Sequence, residues 1–276
     1  MSTVATIHIK PQPKWYFMDL KELWHFRELF FIFAWRDVKV RYKQTFVGVG
    51  WVIFQPLVNT FIFTIFFGNF AKIPSGALPY PLFVLLGLIF WGFFSTSLSH
   101  AANSFIENTA ILGKVYFPRE ILPLSSIAVG LIDFLVSFVM FFLVAIFYKV
   151  HFSLAFTAMV LLGLLITMIA SSGLGLLLAS INVKYRDVRY ILPYFLQIMI
   201  FVTPVIYPLN IMRPSFQQIV SLNPMAGVID GLRSALSSGQ ITNPGSLLFA
   251  FSSSLLLFVF SVIYFRKTQS FFADLL

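Results

Sequence analysis

The chain contains no cysteine. That excludes a disulfide framework, a thiolate metal site and a thiol nucleophile. Charge is also sparse. Only 11% of the 276 residues are charged, and Asp and Glu together number 10. No Walker A sequence is present, which excludes a P-loop nucleotide site in this chain. Neither H-E-x-x-H nor G-x-S-x-G occurs, so two common hydrolase signatures are missing. His8, His25, His100 and His151 are scattered, and none has a second ligand at metal spacing. No catalytic constellation, metal site or bound cofactor is therefore expected. No cleavable leader is expected either, because the first long apolar stretch begins near residue 47 and is too long for an h-region.

Apolar residues are abundant: 59% of the chain is hydrophobic, with 35 Phe. A water-soluble domain of this length could not hide so much apolar surface, so lipid is the solvent the composition calls for. A net charge of +9 would suggest nucleic acid in a soluble protein, but its distribution argues otherwise. Six stretches are long enough to span a bilayer, at about 47–71, 81–103, 121–148, 152–180, 190–207 and 245–265. The 19 basic residues fall in alternate gaps between them, apart from Lys72, Lys149, Arg213 and Arg233. The positive-inside bias then puts both termini in the cytoplasm, near anionic headgroups, with no nucleic-acid partner. The expected fold is an all-α membrane protein of six transmembrane helices, with residues 1–46 as a cytoplasmic N-terminal segment and 47–276 as the membrane domain.

The segment before the first span has an apolar run at 29–35 too short to cross, followed by charged residues. An amphipathic helix in the inner headgroup layer fits it, with Arg27, Arg36, Asp37, Lys39 and Arg41 as its polar anchors. Alternation over 38–43 alone would read as a strand. Between the fifth and sixth spans, Asn223-Pro224 reads as a helix start, with Asn as N-cap and Pro at the first helical position. Met225, Val228, Ile229, Leu232 and Leu236 follow at helical spacing, with Asp230, Arg233, Ser234 and Ser237 opposite. A shorter helix ahead of it would complete an outer helical hairpin.

Within the spans, polar residues form stripes. Ser95, Ser99, Asn103 and Glu107 recur every fourth position, with Thr96 and His100 in the adjacent row. Trp51, Gln55 and Asn59 share that spacing, as do Ser126, Gly130, Asp133 and Ser137 approximately. Amides and hydroxyls facing lipid are costly, so these stripes face protein or water. Two readings stay open: a hydrated path, or interhelical hydrogen bonds worth about 0.6–2 kcal/mol each. The Ser171, Gly175 and Ala179 stripe reads as close helix packing. Asp133, deep in a span, needs a partner or water, since insertion of such a group costs about 3 kcal/mol.

Three segments carry a family resemblance: RDVKVRYKQTFVGVGWVIFQPL (36–57), INVKYRDVRYILPYFLQIMIFVTPVIYP (181–208) and NPMAGVIDGLRSAL (223–236). Together, in this order and spacing, they resemble type-2 ABC exporter permeases of the polysaccharide-export branch, which carry O-antigen, capsule or teichoic acid. The resemblance implies a homodimer in the inner (plasma) membrane. It implies two copies of a separate ATP-binding subunit, which would hold ATP and Mg, and a lipid-linked polysaccharide as cargo. It places a coupling helix in the gap at 108–120. Lys114, Tyr116, Phe117, Arg119 and Glu120 are then the candidate ATPase contacts, with Tyr185, Arg186 and Asp187 adding to them. The 214–238 hairpin resembles an outer gate, with Asn223, Pro224, Met225, Val228, Ile229 and Leu232 as its candidate residues. Trp51, Gln55, Asn59, Trp91, Ser95, Thr96, Ser99, His100 and Asn103 are the candidate substrate path. The alternatives are a drug or lipid exporter of the same type, a membrane-embedded acyl- or glycosyltransferase using His100 or Asp133, and a purely structural subunit.

Overall fold

The computed structural model describes Met18, residues 20–43, Gly48 and residues 50–269. The expected domain boundary at 46 falls outside these residues, as do Lys10 and Lys14. The helices are α1 (Leu20–His25), α2 (Arg27–Lys43), α3 (Gly50–Phe63), α4 (Tyr80–Glu107), α5 (Thr109–Leu112), α6 (Ile121–Phe147), α7 (Leu154–Lys184), α8 (Val188–Val202), α9 (Pro214–Ser221), α10 (Pro224–Ser238) and α11 (Pro244–Thr268). α3 continues as a π-helical segment, Thr64–Phe70, and a short 3₁₀ turn, Leu209–Ile211, precedes α9. No strand occurs among the described residues, and 38–43 lies within α2. The helical continuation of the apolar run overrides the local alternation.

Five helices are long and apolar enough to cross a membrane: Gly50–Phe70, α4, α6, α7 and α11, of 21, 28, 27, 31 and 25 residues. α8, where a sixth span is expected, has only 15 residues. At 1.5 Å per residue it reaches about 22 Å, short of a roughly 30 Å hydrocarbon layer. Its end follows from Pro204. A residue before proline is driven out of the α region, and Thr203 is extended at ψ 138°. The freed carbonyls do not go begging. Tyr207 donates its hydroxyl to the carbonyls of Phe201 and Val202, at 2.9 and 3.0 Å.

α4 is the hub. It packs against α6, α7, α3, α8 and α10. Small residues set the distances: an added Cβ at Gly130 of α6 would lie 2.1 Å from Ser97 Oγ, and one at Gly175 of α7 would lie 2.6 Å from the Ala101 Cβ. The Gly175 crossing bears out the close-packing reading of that stripe. Between α4 and α6, Phe90, Phe134, Phe138 and Phe141 form a chain of ring contacts, with centroids 5.0, 5.1 and 5.6 Å apart in succession. Dispersion and burial across these rings hold the two helices together.

α2 differs from the expected amphipathic helix. Its apolar and charged residues separate along the axis rather than around it. Phe33 and Ala34 are buried, yet Phe31, Ile32 and Trp35 on the same half are exposed. The charged half, from Arg36 onward, lies against α6 and reaches into the body.

Candidate transport cavity and coupling surface

Two adjoining cavities open beside α4. The larger, about 440 Å³, is walled by the end of α2, by α3, α4 and α6, and by Ile200 of α8. It is lined by Trp51, Gln55, Asn59, Trp91, Ser95 and Thr96, six of the nine residues expected on a substrate path. The second, about 400 Å³, adds Ser99 and His100 from α4 and Gln197 from α8. Arg41, Trp91, Ser95, Thr96 and Ile200 border both, so they form the partition. Asn103 borders neither. Its Nδ2 donates to the Ser99 carbonyl at 2.9 Å, and its Oδ1 accepts from Asn182 Nδ2 of α7 at 3.2 Å. It belongs to the α4–α7 crossing.

Asp133 finds its partners on α2, not on α4. Arg41 Nη2 lies 2.7 Å from Asp133 Oδ2, and the Tyr42 hydroxyl donates to Asp133 Oδ1. Arg41 Nη1 also meets His100 Nε2 at 2.8 Å. A guanidinium can only donate, so Nε2 accepts. One arginine thus ties α2 to both α4 and α6. Arg41 and Asp133 both face the larger cavity, as does Ser137, whose hydroxyl donates to the Val52 carbonyl at 3.2 Å. Arg41 was expected among headgroup anchors, and the structure makes it part of the cavity wall. Arg36 and Asp37 pair with each other instead, at 2.6 Å. Arg27 donates to the Trp24 carbonyl, and Lys39 is exposed.

A second surface lies at the end of the bundle where α4 passes into α6. Here α5 is a single turn. The coupling candidates divide into exposed and buried sets. Lys114 and Tyr116 are exposed, as are Tyr185, Arg186 and Asp187 on the α7–α8 turn. Phe117 and Glu120 are buried and brace the loop from beneath. Phe117 packs on Phe33 of α2, centroids 5.6 Å apart. Glu120 Oε1 lies 2.6 Å from Arg266 Nε of α11, close but not aligned as a hydrogen bond. Burial pushes the Glu120 carboxyl up from its ordinary value, while Arg266 acts against that. Arg119 donates to the Gln269 carbonyl at 2.6 Å, and Tyr116 donates to Glu22 of α1 at 3.1 Å. The loop is therefore held by α1 and by the end of α11.

On the far side, Asn223 caps α10 as expected: its Oδ1 accepts from Met225 N at 3.0 Å. Met225, Val228, Ile229 and Leu232 are fully buried. Arg233 departs from expectation. The pattern put it on a polar face, but it is 6% exposed, over the Phe83 ring at 3.4 Å. It donates to the carbonyls of Phe83, Pro204 and Val205, at 2.5–3.1 Å. The broken backbone after α8 supplies the Pro204 and Val205 carbonyls and the start of α4 supplies that of Phe83, which is why a cation can be buried there. No group of three His, Cys, Asp or Glu that could hold a metal occurs among the described residues.

A multi-pass membrane body, a polar cavity within it and a braced loop at one end together describe a transport subunit. Comparison with known proteins agrees. The model of the ABC-2 type transporter family matches residues 28–237, and the chain belongs to that family. It is 27% identical to the O-antigen export system permease protein RfbA of Myxococcus xanthus, over 91% of this chain and 97% of that protein. It is 26% identical to the protein of the same name from Klebsiella pneumoniae, over 90% and 95%. The polysialic acid transport protein KpsM of Escherichia coli is 22% identical over 77% and 82%.

Proposed function

We propose that this chain is the membrane permease of an ATP-driven exporter that moves a lipid-linked polysaccharide out of the cytoplasm across the inner (plasma) membrane. It works as a homodimer with two copies of a cytoplasmic ATP-binding subunit, which holds the ATP and Mg²⁺. Both termini are cytoplasmic. α8 and the turn after it make the sixth crossing, α2 lies at the inner interface, and α9 with α10 forms the outer hairpin. The observation that carries the reading is the larger cavity, where Gln55, Asn59, Ser95 and Thr96 sit beside Trp51 and Trp91.

The physics suits a glycan. A hydroxyl buried without a hydrogen bond costs a few kcal/mol, so a sugar with three free hydroxyls faces about 10 kcal/mol in dry hydrocarbon. A polymer repeats that at every unit in the membrane. Neutral amides and hydroxyls both donate and accept, which matches sugar hydroxyls in either role. Indole faces accept the apolar faces of sugar rings. The relatives named for O-antigen export and polysialic acid transport support this cargo class over drugs or lipids.

The ATP-binding subunits dock on the exposed set, Lys114, Tyr116, Tyr185, Arg186 and Asp187. Their closure pushes on the loop. Phe117 passes the push to α2 through Phe33, and Glu120 and Arg119 pass it to the end of α11. α2 in turn is tied by Arg41 to both cavity walls, so movement of the loop reshapes the cavity. At the outer end, α10 is a buried support and α9 is the exposed half that yields. Replacing Arg119 with Glu is expected to leave the partner's ATP hydrolysis running while export falls by at least about tenfold. Unchanged export in that variant overturns the coupling role.

A further inference from the structure

We propose that the polymer carried by this permease is built from uncharged repeat units rather than acidic ones. This rests on reading the chain as a polysaccharide exporter and narrows that reading. Family membership leaves the sign of the cargo open, since one relative is named for polysialic acid and others for O-antigen.

The argument is an inventory of charge on the wall. Among the described residues lining the two cavities, the ionisable acids and bases are Arg41, Tyr42, Asp133 and His100, and the Tyr42 hydroxyl, which donates to Asp133, is neutral. Arg41 and Asp133 lie 2.7 Å apart and cancel. His100 accepts a hydrogen bond from Arg41 through Nε2, so its only ring proton is on Nδ1 and the imidazole is neutral. The net charge of the lining is zero. The amide and hydroxyl side chains of Gln55, Asn59, Ser95, Thr96, Ser99, Ser137 and Gln197 are all neutral and all able to donate and accept, and the Trp51 and Trp91 indoles add neutral donors. Two buried cations elsewhere offer no help. Arg233 is enclosed by backbone carbonyls, and Arg266 lies against Glu120.

A polymer with a carboxylate on every unit brings one charge after another into a poorly solvating passage. Each must lose water without meeting a free cation. A channel for such a polymer needs more cations than anions along its wall. This wall has one of each, already joined. A neutral glycan needs only hydrogen bonds and ring stacking, and both are present.

The test uses inverted membrane vesicles containing the permease with its ATP-binding partner. Two lipid-linked glycans of equal length on the same carrier are compared, one neutral and one with a carboxylate in each repeat. A third sample is the acidic glycan after chemical reduction of its carboxylates to alcohols. ATP-dependent uptake of the neutral glycan is expected to be at least about tenfold faster than that of the acidic one, and the reduced glycan is expected to match the neutral one. In the Asp133→Asn variant, which leaves Arg41 uncompensated, the gap is expected to narrow. Equal or faster uptake of the acidic glycan overturns the inference, and so does a reduced glycan that stays slow. Failure of ATP to drive uptake of any of the three overturns the polysaccharide reading beneath it.

Discussion

α3 and α4 are consecutive apolar helices with opposite surroundings. Of the membrane-crossing window in Gly50–Phe70, 6% is buried within the chain, against 78% of the window in α4. α4 carries the core, and α3 leans on it from outside. Yet both contribute polar residues to the same cavity, Gln55 and Asn59 from α3, Ser95 and Thr96 from α4. The comparison separates two demands on an apolar helix. α4 must be packed for the body to exist. α3 needs only one face held, leaving Phe54 and Phe61, with Phe66 of its π-helical continuation, exposed.

The largest expected contrast is in stability. Phe90 of α4 is 0% exposed and touches both Phe134 and Phe138, so Phe90→Ala is expected to cost about 3–5 kcal/mol. Phe61 of α3 is 67% exposed, and Phe61→Ala is expected to stay within about 0.5 kcal/mol. Thermal unfolding in detergent or nanodiscs measures both. Equal losses would erase the distinction between the two helices.

A smaller effect sharpens the same point at the α4–α6 crossing. Gly130→Ala must displace Ser97 Oγ and crowds the Phe93 carbonyl, 3.2 Å from the added Cβ. A loss of about 1–3 kcal/mol is expected from this overpacking. Gly76, in a loop where an added Cβ meets nothing within 4 Å, is not a fair control because its φ is +66°. Gly92 on α4 is, since its Cβ also meets nothing within 4 Å. Gly92→Ala is expected to cost nothing and to add up to about 1 kcal/mol of stability through helix propensity.

The smallest structural change is expected at Gln55, which is exposed on the cavity side of α3. Gln55→Leu should leave the melting profile within about 0.5 kcal/mol of the parent while slowing export several-fold. Normal export in a Gln55→Leu, Asn59→Leu double variant would show that the α3 stripe serves packing alone.

Much of this architecture is legible in the chain. The long apolar runs locate five crossing helices, and four-residue spacing groups Trp51, Gln55 and Asn59 on one side of α3. Spacing says which residues share a side, however, and not what lies opposite at each level. The α4 row from Ser95 to Asn103 faces a cavity over two turns and then meets α7, where Asn182 takes up Asn103. α8 stops early because Pro204 follows Thr203, a local signal that an apolar stretch of the right length masks. The Arg41–Asp133 pair was illegible for a different reason. The two residues are remote in sequence, and nothing local reveals that α2 lies along α6. Asp133 alone announced that a partner must exist. Arg233 misled because its usual place is water, and the frayed carbonyls after α8, with the Phe83 carbonyl of α4, make its burial tolerable.

The absence of cysteine makes the wet cavity directly testable, since an introduced thiol is the only one in this sequence. Single variants Gln55→Cys, Asn59→Cys and Ser95→Cys, with Leu256→Cys on the exposed apolar face of α11 as reference, would be treated with a charged, membrane-impermeant maleimide in both vesicle orientations. Rapid labelling at the three cavity positions, slowed when glycan and ATP are supplied with the partner subunit, and none at the reference, is the predicted result. Cavity thiols as unreactive as the one in lipid would contradict a hydrated sugar path through this protein.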